Sequence, residues 1–404
     1  YSIAGSASFF HEDGGDTRFE AYAVDYDFSL FSNFTYFLDD PVNGDEFEQI
    51  DQRTYYGATV RHIQPISDKL VFRAGGEVRF DDISDIGLFK TADRVRLSTT
   101  RRDKVEELSF AAWGEGEYAL TDTLRATLGL RADYYDADVT AISLPANGGS
   151  ANDSILSPSL ALAWEAKPGL ELYANYGEGF HSNDVRGATI SIDPASGDPA
   201  TPVPILVKAR GSELGARWES DHIKATVAVF HLELDSELVF VGDAGTTEAN
   251  DSTSRNGLEA SLFWTPTDWL VLDAGGAITD AEFDIGGPDT DIPGAVENVL
   301  SAGALVRLDN LSLSARLRHS GEAPLIEDGS VTSEPTSLVN LGATYDWNQI
   351  SFGLEVLNAF DSQDADITYF FASRLPGEPA AGVEDIHFHP VEPRQVRASI
   401  RYRF

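Results

Sequence analysis

EPRQVRASIRYRF, residues 392–404, alternates without error. Val396, Ala398, Ile400, Tyr402 and Phe404 fall on one face, and Gln395, Arg397, Ser399, Arg401 and Arg403 on the other. A period of two marks a β-strand with unlike surroundings on its two sides. One side of this strand must be apolar and the other wet. The same alternation recurs upstream. In LRATLGLRADY, Leu124, Ala126, Leu128, Leu130 and Tyr134 oppose Arg125, Thr127, Arg131 and Asp133. LSLSARLR sets Leu311, Leu313, Ala315 and Leu317 against Ser312, Ser314, Arg316 and Arg318. LELYANY does the same with Leu170, Leu172, Ala174 and Tyr176. No stretch has helical periodicity, and the chain reads as all-β.

Composition narrows the field. The chain has 404 residues, no Cys, no Met, and 66 acidic against 29 basic residues, a formal charge of -37. That charge argues against nucleic-acid binding, because phosphate contacts need Lys and Arg. Without Cys there is neither a disulfide framework nor a thiolate metal site. No apolar run reaches the roughly 18 residues of a membrane helix, but a membrane strand needs only about 9–11 alternating residues. The chain begins without Met or a signal peptide and reads as an internal or processed piece.

The connections say more than the strands. Strands are expected near 1–10, 17–37, 52–66, 70–80, 104–120, 124–136, 155–165, 170–179, 209–218, 222–241, 255–264, 269–279, 297–308, 311–318, 337–345, 350–358 and 395–404. The linkers HEDGGD, SDK, TDT, AKPG, ESD, TPTD, DN and DWNQ are short and rich in turn formers. Those near 38–51, 81–103, 137–154, 180–208, 242–254, 280–296, 319–336 and 359–394 are long. Short and long alternate throughout, so a meander places all tight turns at one end and all long loops at the other. Sandwiches and propellers have no reason to do this, whereas outer-membrane barrels have short periplasmic turns and long extracellular loops. Hydrocarbon offers no partner for a free N–H or C=O, so a sheet spans a bilayer only as a barrel. The fold class is therefore an all-β, transmembrane, antiparallel up-and-down β-barrel, with apolar side chains outward to lipid and charged ones inward. Seventeen strands is odd where such barrels use even numbers, and the amino-terminal part of the barrel is expected to lie upstream.

Five stretches carry a family resemblance: 31–53, 173–187, 254–277, 338–361 and 392–404. They resemble the barrel of TonB-dependent outer-membrane receptors. That family's penultimate strand ends in an Asn-Leu-Phe-Asp element, which here is Asn358-Ala359-Phe360-Asp361. The resemblance assigns 1–404 to one incomplete barrel domain and implies a 22-stranded wall, plugged by an upstream domain that carries the TonB box. It implies a bacterial outer-membrane location and partners in TonB, outer-membrane lipid and lipopolysaccharide. The expected cargo is a small-molecule metal chelate such as a ferric siderophore, captured at the extracellular loops. Cobalamin, free metal or oligosaccharide are alternative cargoes, and the rivals from other classes are a passive porin and an outer-membrane barrel enzyme such as a protease or phospholipase, whose barrels have only about 10–12 strands. Tyr402 and the terminal Phe404 resemble the segment that the barrel-assembly machinery recognises. A plainer reading of Phe404 is an interfacial aromatic at a strand end.

Three stretches are candidates for binding. Tyr176, Phe180, His181 and Arg186, in YGEGFHSNDVRG, pair aromatics with a cation and suit an anionic or aromatic chelate. The plainer reading is an aromatic girdle and a strand-end turn. Asp385, His387 and His389 alternate in the last long loop and would share one face of an extended segment, with donors suited to Zn, Cu, Ni or Fe. Hydrogen bonding inside a folded loop is the plainer reading. Asp280, Glu282, Asp284, Asp289 and Asp291 could hold Ca²⁺, although their spacing fails the EF-hand pattern and acidic loops are ordinarily just solvated. The lumen arginines Arg125, Arg131, Arg316, Arg397 and Arg401 are expected to face plug carboxylates and water. No nucleophile elbow, HExxH or P-loop occurs, so neither an enzyme nor a resident cofactor is expected.

Overall fold

The computed structural model describes residues 1–237, 239–241, 246–248 and 251–404. Seventeen strands form one antiparallel sheet in which each pairs with the next along the chain. The first ten are β1 (Ser2–Phe10), β2 (Asp16–Ser32), β3 (Phe47–Ser67), β4 (Leu70–Ala92), β5 (Val95–Ala119), β6 (Leu124–Ala141), β7 (Gly149–Lys167), β8 (Leu170–Ser182), β9 (Leu206–Glu219) and β10 (Ile223–Leu234). A small hairpin, β11 (Val239–Val241) with β12 (Thr246–Glu248), follows. The wall resumes with β13 (Thr253–Thr267), β14 (Leu270–Phe283), β15 (Asn298–Leu308), β16 (Leu311–Ser320), β17 (Thr336–Trp347) and β18 (Ile350–Leu357). A second separate hairpin, β19 (Ala365–Ser373) with β20 (Val383–Pro390), precedes the last wall strand, β21 (Gln395–Tyr402). Residue 238 of the expected strand 222–241, and 242–245 and 249–250 of the expected loop 242–254, lie outside the described residues.

All seventeen expected strands are present, and the eight short turns stand at one end of the sheet. The largest departure is at 81–103, expected as a long loop. There β4 and β5 continue as a ribbon and turn at Asp93-Arg94, whose φ values of 48° and 61° give the primed turn that matches strand twist. Alternation survives in this stretch but is broken by three register shifts, at Ile83/Ile86, Leu88/Phe89 and Lys90/Thr91, which blur it in the sequence. The chain also has a four-residue helix, α1 (Val185–Ala188), and a 3₁₀ turn at Pro145–Asn147 that periodicity is too coarse to show.

Side-chain direction is inverted relative to a soluble sheet. Leu128 is 64% exposed, Leu130 53%, Val396 66% and Ile400 74%, while Asp133 and Asp103 are buried. Partway up β6 the phase reverses. Through Tyr134 the apolar residues face outward; beyond it Tyr135, Ala137 and Val139 face inward and Asp136 and Asp138 outward. That reversal marks where the outer surface stops meeting hydrocarbon and starts meeting water.

The inner wall is laced with ion pairs. Arg73 bridges Glu115 (3.0 Å) and Glu117 (3.2 Å), Arg125 meets Glu171 (2.6 Å), Arg131 meets Asp133 (2.7 Å), and Arg316 meets Asp273 (2.9 Å). Arg125 and Arg316 thus find carboxylates two strands away on the wall itself, and Arg131 finds Asp133 on its own strand and Glu77 two strands away.

Candidate functional site

At the long-loop end the two sides of the mouth are built differently. Over β4–β9, loops 142–148 and 183–205 fold inward as one cap. Asn147, fully buried, joins them: its amide nitrogen donates to the Ile192 carbonyl (2.8 Å), and its side-chain oxygen accepts from the Ser191 and Ile192 amides (3.0 and 2.9 Å). Val185, Ile205 and Leu206 pack on Ile83, Val105, Ala137 and Val139 of the wall. The cap therefore sits on the inward apolar residues that the phase reversal in β6 supplies.

A buried charge cluster holds the cap's helix. Arg186 donates to Asp184 through Nε (3.0 Å) and lies 3.9 Å from Asp103. Arg101 donates to Asp103 through Nε (2.6 Å) and to the Arg186 carbonyl through Nη2 (3.1 Å). Arg101, Asp103 and Arg186 are 1%, 1% and 5% exposed. Burial alone would raise the Asp184 pKa, but the Arg186 charge and hydrogen bonds outweigh it and hold the carboxyl at about 2. Beneath the cap is a chamber of about 360 Å³ lined by Arg53, Arg79, Asp81, Glu107, Tyr135 and Asn183. Its arginines are neutralised: Arg79 meets Asp81 at 2.6 Å, and Arg53 reaches the same carboxylate at 3.5 Å.

The other side of the mouth holds a larger chamber of about 880 Å³, enclosed by β10, β13–β18, β21 and the base of the last loop. Glu259, Ser301, Arg318, His319, Asn340 and Arg397 line it. Neither Arg318 nor Arg397 has a carboxylate within ion-pair distance among the described residues; Arg397 donates to the Gln395 side chain at 3.1 Å. This is the candidate site, a recess with two guanidinium groups outside any ion pair among the described residues, which can donate to oxyanion or carbonyl groups, and with Glu259, Asp366 and Glu392 also on its lining. Sequence reasoning named Arg397 without placing it here and missed Arg318, His319 and Asn340. The available signal was position: each lies near the end of a strand that leads into or out of a long loop.

A clasp fixes the floor of the last loop. Asn358, 5% exposed and at φ 45°, donates to the Ser362 and Glu392 carbonyls (2.9 and 3.0 Å) and accepts from the Ser362 amide (2.9 Å). Asp361 accepts from the Arg394 amide at 3.0 Å. The residues that leave the wall at β18 are thereby tied to those that return at β21.

The sequence-derived candidates are not gathered here. Tyr176 shares the outward face of β8 with Leu172 and donates to Glu178 at 3.0 Å. Phe180 packs edge-on to Tyr135 at 6.1 Å under the cap, and the buried Nε2 of His181 has no hydrogen-bond partner among the described residues. Arg186 is consumed by the charge cluster. The run is thus divided between lipid face and cap interior: Tyr176 and Phe180 would share a face of a regular strand, but pairing of β8 with β7 stops at Gly177 and the strand goes on beside β9 alone. Asp385, His387 and His389 alternate along β20 as expected, and each imidazole already has a partner. His387 is occupied by Ser373 (2.9 Å), the Asp385 carbonyl (3.0 Å) and a stacked Phe371 ring at 3.9 Å, and His389 is bonded to Asp366 at 2.8 Å. No group of three potential ligands, including those of 280–294, is placed to hold a metal among the described residues. Tyr402 and Phe404 meet edge-on at 5.3 Å, and Phe404 is fully exposed.

Comparison with known proteins adds three findings. Residues 2–359 match the family described as TonB dependent receptor-like, beta-barrel. No curated protein matches the chain by sequence. Among solved structures, the chain is similar to the ferric yersiniabactin uptake receptor FyuA from Yersinia pestis, at 12% identity and TM-score 0.78, covering 100% of this chain and 61% of that one. It is also similar to the copper transporter OprC (14%, TM-score 0.74, 100% and 65%) and to BauA, the ferric preacinetobactin receptor from Acinetobacter baumannii (17%, TM-score 0.69, 99% and 62%). The chain therefore spans under two thirds of the length of each. At these identities the likeness is one of fold.

Proposed function

The chain belongs to the TonB-dependent receptor β-barrel family, whose members reside in the bacterial outer membrane, and from that premise we propose that it forms the wall of an energised uptake receptor. Its cargo on this reading is a scarce nutrient captured at the long-loop end, a metal chelate such as a ferric siderophore before free metal, cobalamin or oligosaccharide. One observation carries the reading: a family-matched wall, apolar outside and charged inside, opens at its long-loop end into a recess of about 880 Å³. Three similar structures are receptors or transporters for ferric yersiniabactin, ferric preacinetobactin and copper, which makes chelated metal the first class to test. TonB is the proposed energy source, acting through a plug domain, and Phe404 is proposed as part of the segment that the barrel-assembly machinery reads. Lipopolysaccharide is the proposed neighbour of the outer surface.

The test is growth of a deletion strain under metal limitation on a panel of ferric catecholates, hydroxamates, ferric citrate and copper salts, with and without TonB. Loss of growth on one chelate, equal to that caused by TonB loss, is expected. Growth unchanged across the panel would overturn the cargo class. Uptake that is indifferent to TonB would mark a passive pore.

A further inference from the structure

We propose that the cap built from loops 142–148 and 183–205 is permanently closed, and that it confines passage to the β10–β21 side of the lumen. The cap's helix is tied to the wall by Arg101 and Asp103 of β5, which reach the Arg186 carbonyl and guanidinium, while Asp184 pairs with Arg186 inside the loop. Lifting it would strand charges from a buried cluster, a far greater penalty than breaking an exposed ion pair. It would also bare Val185, Ile190 and Ile205, which are 3%, 1% and 2% exposed. The two loops cannot move singly, because the fully buried Asn147 spends its side-chain amide on residues of the other loop.

The wall below is made for this contact. Where β6 rises above its lipid-facing residues, its apolar side chains turn inward and give the cap a floor. Among the described residues no such floor is formed on the other side. There the recess is larger, and Arg318 and Arg397 have no carboxylate partner within ion-pair distance among the described residues. Cap and recess thus divide the mouth into a sealed part and a receptive part. The route half of this inference rests on the uptake reading, whereas closure of the cap does not.

The chain has no Cys, so single cysteines report cleanly. Ser109 lines the chamber beneath the cap and Ser301 lines the larger recess. The full-length protein in intact cells would carry Ser109→Cys or Ser301→Cys and be treated with a membrane-impermeant maleimide, with heat-modifiable migration as the control for folding. Labelling of Ser301→Cys is expected to be at least ten-fold faster than that of Ser109→Cys. Adding Asp103→Asn, which removes the wall carboxylate that Arg101 and Arg186 share, should bring Ser109→Cys close to the rate of Ser301→Cys. Equal and fast labelling in the otherwise native protein would show that the cap opens. Slow labelling of both would remove the open route. An unchanged Ser109→Cys rate with Asp103→Asn would mean that the charge cluster is not the lock. Because the readout is accessibility, a failure of uptake on every chelate would fell the transport reading and leave closure standing.

Discussion

The two stretches of wall, β2–β9 and β10–β21, solve the same problem at different heights. β5 has 25 residues and β4 has 23, whereas β18 and β21 have eight each. At about 3.3 Å per residue β5 is roughly 80 Å long, against the about 9–11 residues that a bilayer crossing needs. The excess stands in water as a polar ribbon with its own inward apolar face. Loops anchored to that ribbon can bury apolar side chains and close, as 142–148 and 183–205 do. Strands that stop near the bilayer give their loops no such face, and a recess remains. The height of the supporting wall makes the difference and not that of a loop's own strands: loop 183–205 springs from β8 and β9, with 13 and 14 residues against 15 and 14 in β13 and β14, and closes by leaning on β4–β6.

The comparison can be broken most severely at the lipid face. Leu128→Arg should destabilise the barrel by about 2–4 kcal/mol, while Thr127→Arg, which points inward one residue away, should cost well under half of that. Urea unfolding in lipid vesicles measures both, and equal effects would overturn the facing assignment shared by both stretches of wall. Next in size is the clasp beneath the last loop. Asn358→Ala leaves the Ser362 and Glu392 carbonyls and the Ser362 amide without partners and should cost about 1–3 kcal/mol. Slower heat-modifiable folding of the variant, with its wall otherwise intact, is the expected reading.

Removing Phe404 tests whether the terminal aromatic serves assembly or only packing. Surface levels should fall while the small amount that inserts melts like the native protein; normal surface levels would leave only the interfacial role. A finer effect concerns pH. The Asp184 carboxyl is held at about 2, below its ordinary 3.8. A depressed carboxylate stabilises the fold above its unfolded pKa and loses that stabilisation as pH falls through the folded value. The cap should therefore loosen to proteolysis as pH drops from about 4 towards 2, and the base of the last loop, where hydrogen bonds from Ser362 and the Ser337 amide also lower the Asp364 carboxyl, should soften in the same acid range. The smallest effect is expected at β20. Alanine at both His387 and His389 should leave the metal content of the purified protein unchanged and merely loosen the hairpin, as elemental analysis and limited proteolysis would show.

Val396 to Phe404 and Leu124 to Tyr134 were enough to assign strands, faces and an outer-membrane barrel, because alternation is local and each residue declares its own side. Turn chemistry was equally local, so the short connections could be found from HEDGGD to DWNQ. Binding residues were a different matter. Arg186 has the same composition cues as a ligand-binding arginine and became a strut, since Asp103 and Arg101 approach it only when β5 and loop 183–205 meet in space. His387 and His389 alternate as metal ligands would, yet Ser373, Phe371 and Asp366 on the neighbouring strand or beside it claimed them first. Arg318, His319 and Asn340 have no motif at all and acquire meaning only by facing one cavity.

From its sequence alone this protein fixed which side of each strand meets lipid, which end bears the loops, and to which family it belongs. What only the tertiary structure decided is which loops close, which arginines are neutralised and which stay available. The reason is range: the pleat carries facing information from one residue to the next, whereas an ion pair or a cavity depends on partners that strand pairing brings together from distant parts of the chain.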